Sequence, residues 1–231
     1  MSKLYIVATP IGNLEDLSFR ALRILKEVDF ILSEDTRTTK KLLDHYQIKK
    51  PLISYHQHSR LQKIDFIINL LRESKNLALV SEAGTPGISD PGNLLVSEVI
   101  RRLRDEVKIV PIPGPSAVIA ALSLSGFPTD KFIFLGFPPS KRKRNKFFEE
   151  VAKAKYPVVF YESPHRILKT LEKLKSVFIR AQIREDSRQI VICRELTKKF
   201  ETIYRGMIGG VIEQIKNSPI KGEYVIIINK H

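Results

Sequence analysis

The chain has 231 residues, of which 43% are hydrophobic and 28% are charged. This balance is typical of a globular protein with one large core or two smaller ones. No apolar run approaches the roughly 18 residues that a membrane-spanning helix needs. No signal segment is visible at the N-terminus, so we expect a cytoplasmic protein. Cys193 is the single cysteine, which excludes an intramolecular disulfide, and its apolar neighbours predict that it is buried.

The chain is strongly basic, with 39 basic against 25 acidic residues and a net charge of +14. Such an excess indicates a polyanionic partner, above all a nucleic acid; a lysine-rich solvent-exposed surface is the alternative. Clustering favours the partner, because residues 141–146 (KRKRNK, the first basic run) and Arg101, Arg102 and Arg104 (the second basic run) are dense in positive charge. Aromatic content is only 8% and tryptophan is absent, so no base-stacking platform is evident.

The first half of the chain alternates strand-like and helix-like patterns. The predicted strands are residues 4–8, 30–33, 52–54, 77–80 and 108–112. The predicted helices are residues 17–28, a segment ending near residue 46, and residues 61–71 and 93–104. This succession predicts a mostly parallel sheet with helices on its faces.

Residues 111–116 (PIPGPS) interrupt the middle of the chain, because three prolines and a glycine continue neither a strand nor a helix. We interpret them as a domain boundary, which gives domains 1–113 and 114–231. In the second half, the predicted strands are residues 132–135, 158–161, 189–194 and 224–228, with an extended segment at 200–204. The predicted helices are residues 116–125, a segment from the first basic run to residue 154, a segment that starts within residues 162–166 and ends near residue 174, and residues 208–215. The predicted fold class is therefore α/β with two domains, each with a central sheet flanked by helices.

Residues 81–92 (SEAGTPGISDPG) follow a buried strand and precede a helix. They contain Gly84, Gly87, Gly92, Pro86 and Pro91. We expect the glycines to adopt positive φ, Asp90 to be the N-cap of the helix and Pro91 its first residue. A glycine-rich loop at the carboxyl end of a strand is where open α/β sheets bind ligands, although the same residue types also serve purely as turn chemistry.

Three more segments share this design, since they follow strands and mix glycine or proline with polar residues. They are residues 9–13, 113–116 and 161–166. Together with residues 81–92 they predict a ligand site with backbone-rich walls.

Seven motifs in this order carry a resemblance to a known family. They are ATPIGN, SEDTR, SEAGTPGISDPG, PIPGPSA, FLGFPP, FYESPHR and CRELTKKFET. In this combination they resemble the ribosomal RNA small subunit methyltransferase I family, a branch of the tetrapyrrole-methylase-like enzymes that use S-adenosylmethionine (SAM). The resemblance implies SAM bound in a cleft between two α/β domains, a homodimer, and 2′-O-methylation of a cytidine ribose in small-subunit (16S) ribosomal RNA.

The loops that match these motifs supply the predicted cofactor contacts. They are Pro10, Gly12, Gly84, Thr85, Pro86, Ser116, Ala117, Phe160 and Tyr161. No metal is predicted, because one cysteine builds no zinc site and no HExxH motif is present. His56 and His58 lack further ligands and are interpreted as RNA-contact or structural residues.

A ribose hydroxyl is a poor nucleophile at neutral pH, so the reaction benefits from a general base or hydrogen-bond acceptor. Candidates at loop positions are Glu34, Asp35, Glu162 and His165, with Arg37 and Arg166 orienting phosphate or charge. The predicted catalytic set is Asp35, Arg37, Glu162, His165 and Arg166. The alternatives are that Asp35 is only the N-cap of the next helix and that His165 is a first-turn residue without chemistry.

Two other function classes stay open, and a nucleotide-phosphate enzyme is a weaker third because no GxxxxGK[ST] motif is present. One is a tetrapyrrole-type small-molecule methyltransferase, although relatives of that type carry a glycine-rich N-terminal loop and Gly-Asp-Pro in the central loop. Here those segments are Thr-Pro-Ile-Gly-Asn (residues 9–13) and Gly-Thr-Pro (residues 84–86), which argues against such a substrate. The other class is a non-catalytic RNA-binding protein of ribosome assembly, which would not bind SAM.

Overall fold

The computed structural model describes residues 1–56, 61–90, 92–183 and 188–230. The chain divides into two compact units, Met1–Ser116 and Ala117–His231, whereas the sequence placed the boundary after residue 113. Within the described ranges, no helix is long and apolar enough to cross a lipid bilayer.

The first unit alternates strands and helices along the chain. Its strands are β1 (Ser2–Val7), β2 (Phe30–Ser33), β3 (Leu52–Ser54), β4 (Leu77–Val80) and β5 (Val107–Ile112). Its helices are α1 (Phe19–Glu27), α2 (Thr36–His45), α3 (Leu61–Arg72) and α4 (Asn93–Leu103), with short 3-10 turns at Leu14–Asp16 and Arg104–Glu106. The strand order is β3-β2-β4-β1-β5, and these neighbours pair in parallel. The prediction of a parallel sheet with helices is confirmed.

Both faces of this sheet are buried, because its strands alternate between two hydrophobic clusters. One cluster joins the sheet to α3 and α4 and includes Ile64, Leu95 and Val99. The other joins it to α1 and α2 and includes Leu25 and Leu43. The carboxyl ends of parallel strands share one edge of the sheet, so the loops after these strands lie at that edge.

Two local predictions in this unit are wrong. Helix α4 begins at Asn93 with Gly92 as its cap, and Gly92 has φ 145 and no side-chain cap bond. Asp90 therefore does not cap the helix, and Pro91 lies outside the described residues. Pro111 does continue a strand, because β5 is at the edge of the sheet. The amide of Ala8 donates to the carbonyl of Ile112, so by alternation the nitrogen of Pro111 faces away from β1 and its missing N–H costs no bond within the sheet.

The second unit is also α/β but differs in strand direction. Its strands are β6 (Ile133–Phe134), β7 (Val158–Glu162), β8 (Gln189–Arg194), β9 (Thr202–Met207) and β10 (Tyr224–Ile228). Its helices are α5 (Ala117–Ser125), α6 (Arg144–Lys153), α7 (Ile167–Arg180) and α8 (Ile208–Lys216). The strand order is β6-β7-β10-β8-β9; β6 and β7 pair in parallel and the other neighbours are antiparallel.

Helices α6, α7 and α8 pack on one face of the second sheet, and α5 packs on the other against β10 and β7. Helix α7 extends beyond the predicted end near residue 174, because Val177 and Phe178 continue its buried stripe. Cys193 is buried as expected, and burial raises the pKa of its thiol to about 12. The predicted fold class, α/β with two sheets flanked by helices, is confirmed.

Candidate functional site

The loops after β1 and β4 are joined by backbone hydrogen bonds. Thr9 and Gly84 form an isolated antiparallel bridge, in which the amide of Thr9 donates to the carbonyl of Gly84 at 2.9 Å and the amide of Gly84 donates to the carbonyl of Thr9 at 3.0 Å. The hydroxyl of Thr9 also donates to the carbonyl of Ser81 at 3.4 Å. The loops that follow β1 and β4 are therefore joined at Thr9, Ser81 and Gly84, at the carboxyl edge of the first sheet.

The loop after β5 joins the same surface. The hydroxyl of Thr85 donates to the carbonyl of Pro115 at 3.2 Å. Gly84 has φ 80, and a Cβ there would lie 3.4 Å from Cγ2 of Ile11 and 3.6 Å from the carbonyl oxygen of Pro115. Those distances are ordinary contacts, so it is the positive φ that favours glycine here. All three glycines of residues 81–92 have positive φ, as predicted.

The structure thus brings together the predicted cofactor contacts of the first unit. Pro10 and Pro86 are buried, Thr85 and Ser116 are half-buried, and Gly12 is exposed. Loop composition in the sequence identified these residues. It did not show which loops touch, because those contacts depend on the tertiary fold.

A group of carboxylates lies at the same edge. Burial, the nearby charge of Glu34 and that of Glu82 raise the pKa of Asp90 to about 6. Burial and Glu82 also raise the pKa of Glu34, while the nearby His56 acts in the opposite direction. Neighbouring carboxylates repel each other when both are ionised, and a cationic group placed beside them relieves that repulsion. His58 lies outside the described residues.

Asp35 and Arg37 interact directly with each other. The Asp35 carboxylate is the N-cap of α2 and accepts from the amide of Arg37 at 2.8 Å and from its Nε and Nη2 at 3.3 Å each. These hydrogen bonds lower the pKa of Asp35. Asp35 therefore does cap α2, as the alternative interpretation proposed. The Arg37 side chain is 89% exposed. This leaves a guanidinium open to solvent beside a carboxylate that stays ionised.

The predicted residues of the second unit include a buried carboxylate cluster. The Glu162 side chain is fully buried. One oxygen, Oε1, accepts from Nε of Arg166 at 2.8 Å and from the amide of Ser163 at 2.7 Å. The other, Oε2, accepts from the hydroxyl of Thr170 at 2.6 Å and lies 3.9 Å from Nη2 of Arg144. Both oxygens are occupied, which makes Glu162 a structural centre for its neighbours.

The remaining predicted residues of this unit differ in exposure. His165 is exposed and Tyr161 is half-buried. The Phe160 side chain is fully buried and packs edge-on against Phe147 with ring centroids 5.4 Å apart. The Phe160 side chain is therefore closed to a ligand, and its backbone lies within the sheet opposite Ile226 of β10. Ala117 is the first residue of α5.

Sequence reasoning missed Thr170 and the role of Arg144. Nη2 of Arg144 donates to the hydroxyl of Thr170 at 2.6 Å, and Nη1 to the carbonyl of Pro139 at 3.1 Å. The available signal for Thr170 was its position on the buried stripe of α7 between Ile167 and Leu171, where a polar residue needs a partner.

The two basic runs differ in their surroundings. In the second run, Arg101 pairs with Glu98 at 2.7 Å, and Arg102 pairs with Glu98 at 2.6 Å and with Asp65. Much of that positive charge is already neutralised within the protein. In the first run, residues 141–143 are exposed.

Sequence comparison places these residues in a wider group of proteins. Residues 3–211 match the family model for tetrapyrrole (corrin/porphyrin) methylases. A relative from Thermotoga maritima, named ribosomal RNA small subunit methyltransferase I, is 42% identical over 229 residues, which cover 99% of both chains. Relatives of the same name from Hydrogenobaculum and Halalkalibacterium halodurans are 45% and 44% identical, and the matches cover 99% and 97% of this chain and 96% and 75% of theirs.

Structure comparison identifies the same fold. A cobalt precorrin-4 methyltransferase of cobalamin biosynthesis superimposes with a TM-score of 0.72 at 19% identity, covering 98% of this chain and 94% of the other. A uroporphyrin-III-C-methyltransferase from Thermus thermophilus superimposes with a TM-score of 0.65 at 17% identity, with the same coverage.

Proposed function

Because the chain belongs to the ribosomal RNA small subunit methyltransferase I family, within the tetrapyrrole methylases, we propose that it methylates the 2′-hydroxyl of a cytidine ribose in 16S ribosomal RNA. The chain is a SAM-dependent methyltransferase, and the predicted cofactor is confirmed. The proposal adds the RNA substrate, the nucleoside and the position of the methyl group. We also propose that it works as a homodimer in the cytoplasm.

One observation carries the choice of substrate. The match to the Thermotoga maritima relative extends over 99% of both chains, so its segments correspond from end to end, including those that carry the candidate residues. The net charge of +14 independently suits a phosphate polymer.

The loops at the carboxyl edge of the first sheet fit SAM. The cofactor carries a cationic sulfonium and an amino-acid end, and the surface offers backbone groups and the carboxylates of Glu34 and Asp90. We propose that SAM is held by the predicted residues: Pro10, Gly12, Gly84, Thr85, Pro86 and Ser116 of the first unit and Ala117, Phe160 and Tyr161 of the second.

When bound, SAM supplies an electrophilic methyl group on sulfur. In the proposed reaction the ribose 2′-oxygen forms a bond to the methyl carbon, the carbon–sulfur bond breaks with its electron pair going to sulfur, and the hydroxyl proton must pass to an acceptor. Alignment of the reacting atoms supplies most of the acceleration expected of such a site. The chain must therefore orient the ribose and accept one proton.

The local geometry separates the candidates for that proton. The Asp35 carboxylate has a lowered pKa, which makes it a weak proton acceptor, and both oxygens of Glu162 are hydrogen-bonded. His165 is exposed, and a neutral imidazole offers one ring nitrogen as a hydrogen-bond acceptor. We assign the proton acceptor to His165, phosphate contact to Arg37, orientation of Arg37 to Asp35, and positioning to Glu162 and Arg166.

The experiment measures single-turnover methyl transfer to small ribosomal subunits at saturating SAM, with the product nucleoside identified by mass spectrometry. His165→Ala should slow transfer about 100-fold, as expected for loss of acid–base help, with unchanged cofactor affinity. Lys169→Ala is the matched control, because Lys169 is also exposed and lies one turn further along the chain, in α7. A transfer rate of His165→Ala equal to wild type would reject His165 as the acceptor. Wild-type protein that leaves cytidine unmethylated, or methylates a tetrapyrrole instead, would reject the proposed function.

Asp35 is tested by two substitutions that separate capping from orientation. Asparagine preserves the N-cap and alanine does not, so Asp35→Ala should also lower stability, by about 1 kcal/mol. Both variants should weaken RNA engagement, because each releases the Arg37 guanidinium. Wild-type RNA affinity in Asp35→Asn would limit Asp35 to its capping role.

A further inference from the structure

We propose that residues 137–143, here called the clamped loop, bind single-stranded RNA. Phe137 stacks on an unpaired base, Lys141, Arg142 and Lys143 contact phosphates, and buried polar residues beneath fix the loop. This inference rests on the proposed RNA substrate and deepens it, because it names the element and the chemistry that engage the RNA strand.

The clamp consists of Arg144, Arg166, Glu162 and Thr170. Nη1 of Arg166 donates to the carbonyl of Pro138 at 3.1 Å, and Nη1 of Arg144 donates to the carbonyl of Pro139 at 3.1 Å. The same two guanidiniums share the Glu162 carboxylate, Arg166 directly and Arg144 through the hydroxyl of Thr170. Two consecutive carbonyls of the loop are therefore tied to one buried anion.

Arg144 is consequently a different kind of residue from its neighbours in the first basic run. Its side chain is only 19% exposed, and the guanidinium lies 5.2 Å from the ring centroid of Phe148. With its donors directed inward, Arg144 holds the loop rather than the RNA. The sequence had grouped it with the residues that contact phosphate.

The residues on the outer side of the loop carry free positive charge. Lys141, Arg142 and Lys143 are exposed, and none of them forms an ion pair within the described ranges. In the second basic run, by contrast, Arg101 is paired with Glu98 and Arg102 with Glu98 and Asp65. The clamped loop is therefore the stronger candidate for contact with a polyanion, since unpaired lysine and arginine gain most from neutralising phosphates.

An aromatic surface lies at the start of the same loop. Phe137 is 53% exposed, and its ring centroid is 5.3 Å from that of Tyr161, which in turn packs edge-on against Phe134 at 5.1 Å. The ring of Phe137 is thus supported from behind and open in front. Although the chain has no tryptophan, this arrangement provides the stacking surface that composition alone did not indicate.

The combination selects single-stranded RNA. A base inside a duplex is stacked on its neighbours and leaves no face for a protein ring, whereas bases in loops and single strands stack on aromatic side chains. Lys141, Arg142 and Lys143 follow the ring in the same loop and offer positive charge to the phosphates of the strand. We therefore expect weaker binding of a duplex of the same sequence.

The first experiment measures binding of a single-stranded RNA oligonucleotide from the small-subunit RNA, by fluorescence anisotropy over a range of salt concentrations. Phe137→Ala should weaken binding about fivefold or more, the range found for loss of one stacked base, with little change in salt dependence. Replacing Lys141, Arg142 and Lys143 with glutamine should reduce the slope of log affinity against log salt by about 2, because each of the three lost phosphate contacts contributes roughly 0.7 to the slope for a single strand.

Matched controls come from elsewhere in the chain. Phe19→Ala removes a ring that is 93% exposed, and the double variant Arg101→Gln with Arg102→Gln removes positive charge that is already paired. Neither should change RNA affinity by more than about twofold. Wild-type affinity in Phe137→Ala, or a wild-type salt slope in the triple glutamine variant, would overturn the assignment.

The clamp is tested by Thr170→Val and Arg144→Lys, which leave the net charge unchanged. Each should weaken RNA binding in the presence of Phe137 but add little in the Phe137→Ala background, since both act through the position of the ring. A purely structural role would instead lower affinity equally in both backgrounds, and that result would reject the clamp. Cofactor affinity, measured by calorimetry, should stay at the wild-type value.

These outcomes are separable from failure of the proposed function. Wild-type protein that binds RNA through Phe137 yet transfers no methyl group to ribosomal RNA would reject the proposed reaction and keep the clamped loop. The opposite result is wild-type protein that methylates ribosomal RNA, with Phe137→Ala and the triple glutamine variant equal to it in activity and in RNA affinity. That result would keep the proposed reaction and reject the clamped loop.

Discussion

Thr9 and Gly84 exchange two backbone hydrogen bonds, at 2.9 and 3.0 Å, between loops that follow different strands. The pair acts as a short piece of sheet beyond the end of the sheet itself, since each residue satisfies the other's amide and carbonyl. The two loops are therefore coupled, and a change in one is transmitted to the backbone of the other.

Gly84→Val should weaken SAM binding by distorting this pair. A side chain at φ 80 is strained by about 1–2 kcal/mol, and the added atoms meet Ile11 and Pro115. Isothermal calorimetry measures the cofactor affinity, which we expect to fall at least tenfold. Gly126→Val is the matched control, because Gly126 has φ 76 and nothing within 4 Å of an added Cβ; it carries the same kind of strain at a residue outside the predicted cofactor set. Equal losses in both variants would show that general destabilisation is the cause.

The contribution of Asp90 to the free energy of unfolding should fall as pH rises from about 4 to above 6. The pKa of Asp90 is raised from 3.8 to about 6 in the folded state, first by burial and then by Glu34. The folded protein therefore binds more protons than the unfolded chain between these values, and the stabilisation present below pH 4 is lost as pH rises through 6. Asp90→Asn should remove this contribution.

The measurement is the free energy of unfolding by urea at pH 4, 5 and 6.5 for wild type and Asp90→Asn. The difference between the two should shift in favour of the variant as pH rises, while the effects of other carboxylates cancel. Asp44→Asn removes an exposed carboxylate paired with Lys40 and is the reference for removing one negative charge elsewhere in the first unit. A difference that is constant with pH would mean that Asp90 titrates normally.

Glu162→Gln should lower the free energy of unfolding by about 3 kcal/mol, because it leaves the guanidiniums of Arg166 and Arg144 without their buried counter-charge. The control is Glu172→Gln, since the Glu172 side chain is 52% exposed and its pair with Lys216 spans 3.5 Å; such surface pairs contribute about 0–1 kcal/mol. Urea denaturation compares the two variants. Similar losses in both would contradict the central role of Glu162 in the second unit.

The sequence predicts the elements of the first unit well because its periodicity is local. The run Leu77–Val80 is buried at every position, and the glycines after it adopt the positive φ that their lack of Cβ permits. The end of α7 and the cap of α4 were predicted less well. Helix ends depend on tertiary burial of the last turn and on backbone geometry as much as on residue type.

The contacts of the candidate site could not be predicted from the sequence, for a different reason. Arg144 and Arg142 are chemically identical in a basic run, and only the positions of Thr170 and Pro139 assign one inward and leave the other exposed. The bridge between Thr9 and Gly84 likewise depends on strand order, because β1 and β4 are neighbours in the sheet but distant in the chain. Residue type identified candidates, and the fold decided their partners.

Pro111 has a consequence for the behaviour of the unpaired side of β5. An exposed strand edge offers amides and carbonyls on which a strand from another molecule can add, and this is a common start of aggregation. The outward-facing nitrogen of Pro111 carries no hydrogen, so an incoming strand would meet a missing donor one residue before the end of β5 (Val107–Ile112). The proline therefore protects the first sheet against uncontrolled extension while leaving its pairing with β1 intact.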